Sequence, residues 1–266
     1  IPEFLGTTLG NQRIGRSQLL KPYPQFSGIT TNLPAGYSYY HSMQWRVQKR
    51  LSRGSQFQAS YTWSKFMEAT SYLNATDDRP EKVVSNQDHP HRFVISGIFE
   101  LPVGRGRLLL GKARGWLQNL AGGWQAQGWY EGQSGQALGF GNSIFYGNLH
   151  DIPLPVSERD ITRWFNVDAG FERTSNRQLS NNIRTLSTRF NNVRGDGINN
   201  LDLSVFKTFR LTERWRAQFR AESYNALNHP QFNNPNLTPT STAFGTVTSE
   251  KGHGQRQLTF AIKLLF

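Results

Sequence analysis

The last ten residues, Gln257-Leu258-Thr259-Phe260-Ala261-Ile262-Lys263-Leu264-Leu265-Phe266, alternate in polarity almost to the end of the chain. Leu258, Phe260, Ile262, Leu264 and Phe266 share one phase; Gln257, Thr259, Ala261 and Lys263 share the other. A period of two sends successive side chains to opposite faces of a sheet. This segment therefore predicts a strand between two unlike environments. The apolar side can meet a second sheet or lipid, and one strand does not choose between them.

The same alternation recurs upstream. Met43, Trp45, Val47 and Leu51 oppose Gln44, Arg46, Gln48 and Arg50. After a tight turn at Ser52-Arg53-Gly54, Phe57, Ala59, Tyr61 and Trp63 oppose Gln58, Ser60, Thr62 and Ser64, which predicts a hairpin. A third strand is marked by Phe93, Ile95, Gly97, Phe99 and Leu101. A fourth carries Trp124, Ala126, Gly128 and Tyr130 against Gln125, Gln127 and Glu131. Leu201, Leu203, Val205 and Phe209 define a fifth, turning at Thr212-Glu213-Arg214. Trp215, Ala217, Phe219 and Ala221 then oppose Arg216, Gln218, Arg220 and Glu222 in a sixth, and the terminal strand is the seventh. Residues 67–90 and the Asn-, Arg- and Ser-rich stretch 139–196 read as loops, as does the Asn- and Pro-rich approach to the terminal strand.

Hydrophobic residues make up only 36% of the chain and aromatic residues 13%, with a mean hydropathy of −0.58. No apolar run approaches the roughly 18 residues of a transmembrane helix. Crossing with strands needs only alternate apolar residues, so this composition suits a barrel. There is no cysteine, which excludes disulfides and thiolate metal sites. The net charge of +12 comes from scattered Lys and Arg rather than one basic arm, which argues against a nucleic-acid partner. The chain opens on Ile1 with no signal-peptide pattern, so further upstream sequence is expected.

Connection lengths choose between the two environments. Turns are short after Leu51 and Leu211, and loops are long after Phe66, Leu138 and Asn228. Outer-membrane barrels combine short periplasmic turns with long extracellular loops, and strands of about 9–11 residues cross the bilayer when tilted. The expected fold is all-β: an antiparallel transmembrane β-barrel segment of the bacterial outer membrane. Residues 1–37 would form an extracellular loop, and 38–266 strands and loops. Seven strands leave two open edges that lipid cannot satisfy, so the segment is expected to belong to a larger barrel.

Arg46, Arg50, Arg216, Arg220, Glu222 and Lys263 then fall on the lumen side. There they would pair with one another or guide an anionic or polar solute. Tyr39, Tyr40, Trp63 and Trp215 fit aromatic girdles at the membrane interfaces. Two features break the pattern. Gly104–Gly123 is long where the turns are short, and Trp116, Leu117 and Leu120 predict a short amphipathic helix, either at the interface or packed under the barrel mouth. Lys207 falls in the lipid phase, close enough to a turn for its stem to snorkel.

Several segments together resemble one family. They are Tyr61-Thr62-Trp63-Ser64-Lys65, Leu101-Pro102-Val103-Gly104-Arg105-Gly106, Gly122-Gly123-Trp124 and Gly132-Gln133-Ser134-Gly135. Further along come Asn200-Leu201-Asp202-Leu203-Ser204-Val205-Phe206-Lys207, Phe219-Arg220-Ala221-Glu222-Ser223-Tyr224-Asn225 and Leu227-Asn228-His229-Pro230-Gln231-Phe232. In this serial order they resemble large Oar-like TonB-dependent receptors. The resemblance implies the C-terminal part of a roughly 22-strand transporter barrel serving energy-coupled uptake. Its partners would be outer-membrane lipid, the preceding strands and N-terminal plug of the same protein, TonB through those absent parts, and the barrel-assembly machinery. It also implies that Phe266 is the assembly signal. One departure is Asp196 in Arg194-Gly195-Asp196-Gly197, where the family has Pro.

Other motifs carry less. Gly106-Arg107-Leu108-Leu109-Leu110-Gly111-Lys112-Ala113 misses a phosphate-binding loop by its last residue, since Ala113 lacks the hydroxyl that holds magnesium. His89-Pro90-His91 with Asp88 lacks a third obvious metal ligand spacing. Asp77, Asp78 and Glu81 lack the order of a calcium loop, and Asn74-Ala75-Thr76 is informative only in a glycosylated protein. Arg194-Gly195-Asp196 reads as a turn rather than an adhesion motif. No catalytic constellation, metal site or cofactor is expected. The alternative from another class is a soluble β-sandwich that binds carbohydrate or acts as an adhesin.

Overall fold

Seven long strands form one antiparallel meander in a computed structural model describing residues 2–30, 32, 34–52, 54–112, 114–178, 182–252 and 254–266. Ile1, Arg53 of the first turn and Ala113 of the phosphate-loop resemblance lie outside the described residues. The chain divides into two units, residues 1–36 and 37–266. The first has turns and a short helix α1 (Arg16–Leu19), with no strand among its described residues. It is held by Thr8 Oγ1 donating to Pro24 O at 2.6 Å and by Gln18 Nε2 donating to the carbonyls of Pro24 and Phe26.

In the second unit the strands are β1 (Tyr37–Ser52), β2 (Ser55–Ala69), β3 (Val83–Val84), β4 (His91–Glu100) and β5 (Trp124–Gln133). They continue with β6 (Ala137–Leu138), β7 (Phe190–Arg194), β8 (Ile198–Arg210), β9 (Arg216–Tyr224) and β10 (Gln257–Leu265). The sheet order is β1-β2-β4-β5-β8-β9-β10, with β3 added at the end of β2. Each long strand lies beside its neighbours in the chain, as the expected meander requires. Among the described residues the outer edges of β1 and β10 carry no partner. Edge amides and carbonyls in hydrocarbon require one.

Register follows the alternation. Trp45 pairs with Tyr61, Tyr61 with Phe93, and Val205 with Ala126 on one side and Ala221 on the other. The first hairpin contains an irregularity between Lys49 and Ser52, where Lys49 Nζ donates to Ser55 Oγ. Gly54 turns the chain there with φ +75°, a left-handed conformation that favours glycine.

The long connections are not featureless loops, and here the reading of 139–196 needs correction. β6 pairs with β7, and a hydrophobic core assembles from the connections themselves. It contains Leu138, Phe140, Ile152, Phe165, Phe171, Leu186, Phe190, Val193 and Phe244. Phe140 is the hub, 2% exposed, with ring centroids 5.0 Å from Phe165, 4.7 Å from Phe171, 5.6 Å from Phe190 and 6.1 Å from Phe244. Gly139 permits this packing, because a Cβ on it would stand 1.7 Å from Thr188 O. Gly135 is likewise pressed against Gly195 O. We call this assembly, built from the β2–β4, β5–β8 and β9–β10 connections, the cap.

Candidate functional site

Cross-strand pairing carries one apolar face through all seven strands. Met43, Trp45 and Val47 of β1 lie beside Trp63, Tyr61 and Ala59 of β2, followed by Phe93, Ile95 and Phe99 of β4. The rows continue through Ala126 and Tyr130 of β5, Leu203 and Val205 of β8, and Phe219 and Ala221 of β9. They end on Leu258, Phe260, Ile262 and Leu264 of β10. Most of the large side chains on this face are exposed, Phe260 at 70%, with Tyr61, Tyr130 and Phe219 half-buried. Water disfavours so wide an apolar surface. A sandwich would need a second sheet against it, and the described residues supply none. Trp63 and Tyr39 lie on this face, but Tyr40 pairs with Phe66 on the opposite one, so adjacent Tyr39 and Tyr40 cannot both serve one girdle. Trp215 and Phe266 meet beyond the strand ends with ring centroids 5.4 Å apart.

The opposite face gathers the polar candidates. Arg46 pairs with Ser60 in register, Arg220 with Phe206 and Ala261, Glu222 with Ser204 and Thr259, and Lys263 with Gln218. Arg216 lies between Arg210 and Leu265. Arg50 falls within the irregularity of β1 and is exposed. Two candidates pair with each other, Arg220 Nη1 to Glu222 Oε1 at 3.2 Å. Arg46 donates to Gln58 Oε1 at 2.8 Å.

A cleft of about 490 Å³ opens on this polar face at its cap end, lined by Trp129, Glu131, Asn200, Asp202, Tyr224 and Gln257. The sequence reading placed Glu131 on the right side but missed the cleft. The usable signal was Trp129, an aromatic residue in the polar phase of β5. Asp202 Oδ1 accepts from Asn225 N at 2.9 Å and from Asn200 Nδ2 at 3.1 Å, which fixes the β8 wall of the cleft. Glu131 accepts from Arg92 at 2.9 Å. The lining combines two aromatic rings, Trp129 and Tyr224, with carboxamides and the Glu131 and Asp202 carboxylates, suited to a polar solute with apolar faces.

Ion pairs and hydrogen bonds join cap segments distant in sequence to one another and to the end of β2. Asp88, 0% exposed, takes Arg194 Nη2 at 2.6 Å, Phe66 N at 2.6 Å and Lys65 Nζ at 3.5 Å. Glu81 accepts from Ser187 Oγ at 2.6 Å and Thr188 Oγ1 at 2.7 Å, and Glu68 pairs with Arg189. These contacts reassign several motifs. Asp88, His89 and His91 do not converge: His89 Nδ1 donates to Ser134 O, and His91 shares a hydrogen bond with Tyr61. Arg194 is committed to Asp88, away from Asp196. Asp196 accepts from Phe232 N at 2.8 Å through its side chain and from Lys251 Nζ at 3.1 Å through its carbonyl. Elsewhere in the cap, Thr174 N–H and hydroxyl hold the Glu172 carboxyl below its usual range, and Thr162 does the same for Asp160.

Lys207 does lie in the apolar rows, beside Trp124 and Phe219. It does not reach toward water. It is 5% exposed and donates to the carbonyls of Asn119 and Leu120, at the end of helix α2 (Trp116–Ala121). Trp124 Nε1 donates to the same Leu120 O at 2.9 Å. Unpaired helix-terminal carbonyls carry partial negative charge, so a cation is favoured there.

A family profile described as "Outer membrane beta barrel domain" matches residues 4–259. No curated protein and no solved structure matches the chain.

Proposed function

This chain belongs to the outer membrane beta barrel domain family and lies in the bacterial outer membrane, and from that premise we propose that it forms wall and cap of a TonB-dependent, Oar-like receptor. In this reading the apolar rows face lipid and the polar face lines a lumen. The cap covers the extracellular mouth, and the cleft beneath it is where solute is held before energy-coupled entry. The reading involves no chemical transformation of the solute. The observation that carries it is a continuous exposed apolar face opposite a polar face whose cleft is bordered by a connection of the hydrophobically cored cap. In a receptor such packed connections hold ligand at the mouth. The ordered motifs shared with Oar-like receptors support the same choice.

On this reading Arg46, Arg50, Arg216 and Lys263 steer solute along the wall, Arg220 and Glu222 brace it, and Phe266 is recognised by the barrel-assembly machinery. TonB engages the intact receptor through parts outside this sequence. The test is accumulation of a panel of polar solutes by cells expressing the intact protein, with and without a protonophore. Energy-coupled uptake requires accumulation of at least one solute that the protonophore abolishes. Protonophore-insensitive entry, with a large steady conductance in planar bilayers, would sink the receptor reading in favour of an open pore.

A further inference from the structure

The β4–β5 connection lies at the sheet end where the other turns are short, and it folds into two pieces. Residues 102–111 double back on themselves. Leu109 N donates to Pro102 O at 2.9 Å, Gly104 N to Leu109 O at 2.8 Å and Gly106 N to Gly111 O at 3.1 Å. These internal bonds take up the amides of Gly106 and Leu109, which a phosphate-binding loop would aim at a nucleotide. They leave Leu108, Leu109 and Leu110 exposed at the tip, Leu108 at 85%. Helix α2 then exposes Trp116, at 70%, together with Leu117 and Leu120. Spacings of one and four residues put these three on one side, with Gln118 and Asn119 on the other. Arg105 N donates to Gln118 Oε1 and joins the two pieces.

Six exposed apolar side chains within residues 108–120 need a non-aqueous neighbour. The helix is fastened by Lys207 and Trp124, which belong to the lipid-facing rows, so the connection continues the membrane surface. Basic residues surround it. Arg105, Arg114, Gln118 and Asn119 line a cleft of about 590 Å³, and Arg105, Lys112 and Arg114 line another of about 440 Å³. No carboxylate lines either cleft. Arg107 is paired to Glu100 at 2.8 Å, but among the described residues Arg105, Lys112 and Arg114 make no ion pair.

We propose that this connection is a phospholipid-binding element: the leucine tip and α2 enter the leaflet, and Arg105, Lys112 and Arg114 hold the phosphate of an anionic headgroup. The proposal rests on the reading of the sheet as a lipid-facing wall. Continuity with that wall selects membrane lipid as the occupant, and an unpaired basic cluster selects an anionic one. On this proposal α2 lies at the interface rather than under the barrel mouth, because its end is fastened to Lys207 and Trp124 of the lipid rows.

The test uses the intact protein in phosphatidylcholine vesicles doped with dibrominated phosphatidylglycerol or dibrominated phosphatidylcholine. Emission of Trp116 is isolated by difference from Trp116→Phe, and that of Trp45, inside the wall, from Trp45→Phe. Both lipids quench Trp45 equally, whereas phosphatidylglycerol quenches Trp116 more strongly. Arg105→Gln with Arg114→Gln reduces the phosphatidylglycerol preference at Trp116 by about fivefold per arginine, from about 1 kcal/mol per basic side chain at an anionic surface, and leaves Trp45 unchanged. Equal quenching of Trp116 by both lipids overturns the headgroup site. An unquenched Trp116 beside a quenched Trp45 overturns insertion of the helix. If neither tryptophan is quenched, the wall reading fails and takes the proposal with it. A phosphatidylglycerol preference removed by excess inorganic phosphate overturns the lipid assignment in favour of a free anion.

Discussion

The cap and the wall use the same residue types in opposite ways. In the cap, Phe140, Phe165, Phe171 and Phe244 turn inward on one another and are nearly sealed from solvent, as in any water-soluble core. In the wall, Trp45, Phe260 and Ile262 turn outward and are among the most exposed large side chains of the molecule. Burial alone would call one region well folded and the other defective. The solvent resolves this: the wall meets hydrocarbon, so its apolar atoms gain by facing out, and its stability rests on backbone ladders and lateral packing. The cap meets water and must build its own interior. The difference teaches that exposed apolar area is diagnostic only when its register is known.

Mutations in the two regions should therefore have separable effects. Phe140→Ala opens a cavity at the hub and costs about 3–5 kcal/mol of cap stability. Asp88→Ala strands the guanidinium of Arg194 and falls in the same range of about 3–5 kcal/mol. Hydrogen exchange in the intact protein should accelerate across the cap connections and, for Asp88→Ala, at the Phe66 amide that Asp88 holds, with amides of β1, β4, β5 and the rest of β2 unchanged. Acceleration throughout those strands would mean that cap and wall unfold as one unit and would end the comparison.

Phe260→Arg places a charge near the middle of the lipid face and should cost about 2–4 kcal/mol. Thr259→Arg, on the polar face, should cost about 1 kcal/mol or less. The measurement is the midpoint of urea-induced unfolding in lipid vesicles, and equal shifts would mean that the faces are assigned wrongly. The smallest effect is acid weakening of the cap. Glu172 has an ordinary pKa of 4.5 that is depressed in the folded cap, so its contribution is complete above that value. It is lost as pH falls from about 4.5 through the lower folded-state value. Cap exchange rates should rise over that window more in the native protein than in Glu172→Gln, while wall exchange stays level. Identical pH profiles for the two proteins would remove Glu172 from the account.

Parts of the molecule were legible in different degrees. The seven long strands, their order and their two faces followed from alternation. Boundaries moved by a few residues, most at β1, which starts at Tyr37. The polar-phase positions of Arg46, Arg216, Arg220, Glu222 and Lys263 followed too, because a strand's geometry is set by its own backbone. Arg50 was less secure, since the irregularity after Lys49 depends on the partner strand. The cap shows only as long polar loops in the sequence, because its phenylalanines have no period. Phe140 and Phe244 stand far apart in the chain and meet only when two connections fold together. The cleft was missed for a related reason: Trp129 and Tyr224 lie on strands separated by β8 and share a site only through the sheet.

By itself the sequence determined a β meander with one apolar and one polar face, because period-two patterning is local and needs no partner to be read. Only the tertiary structure decided that Asp88 is spent on Arg194, that the long connections own a core, and that Lys207 fastens a helix to the lipid face. Each of these joins residues far apart in the chain, and their distance in space is set by how the whole sheet and its connections fold, which no local pattern records.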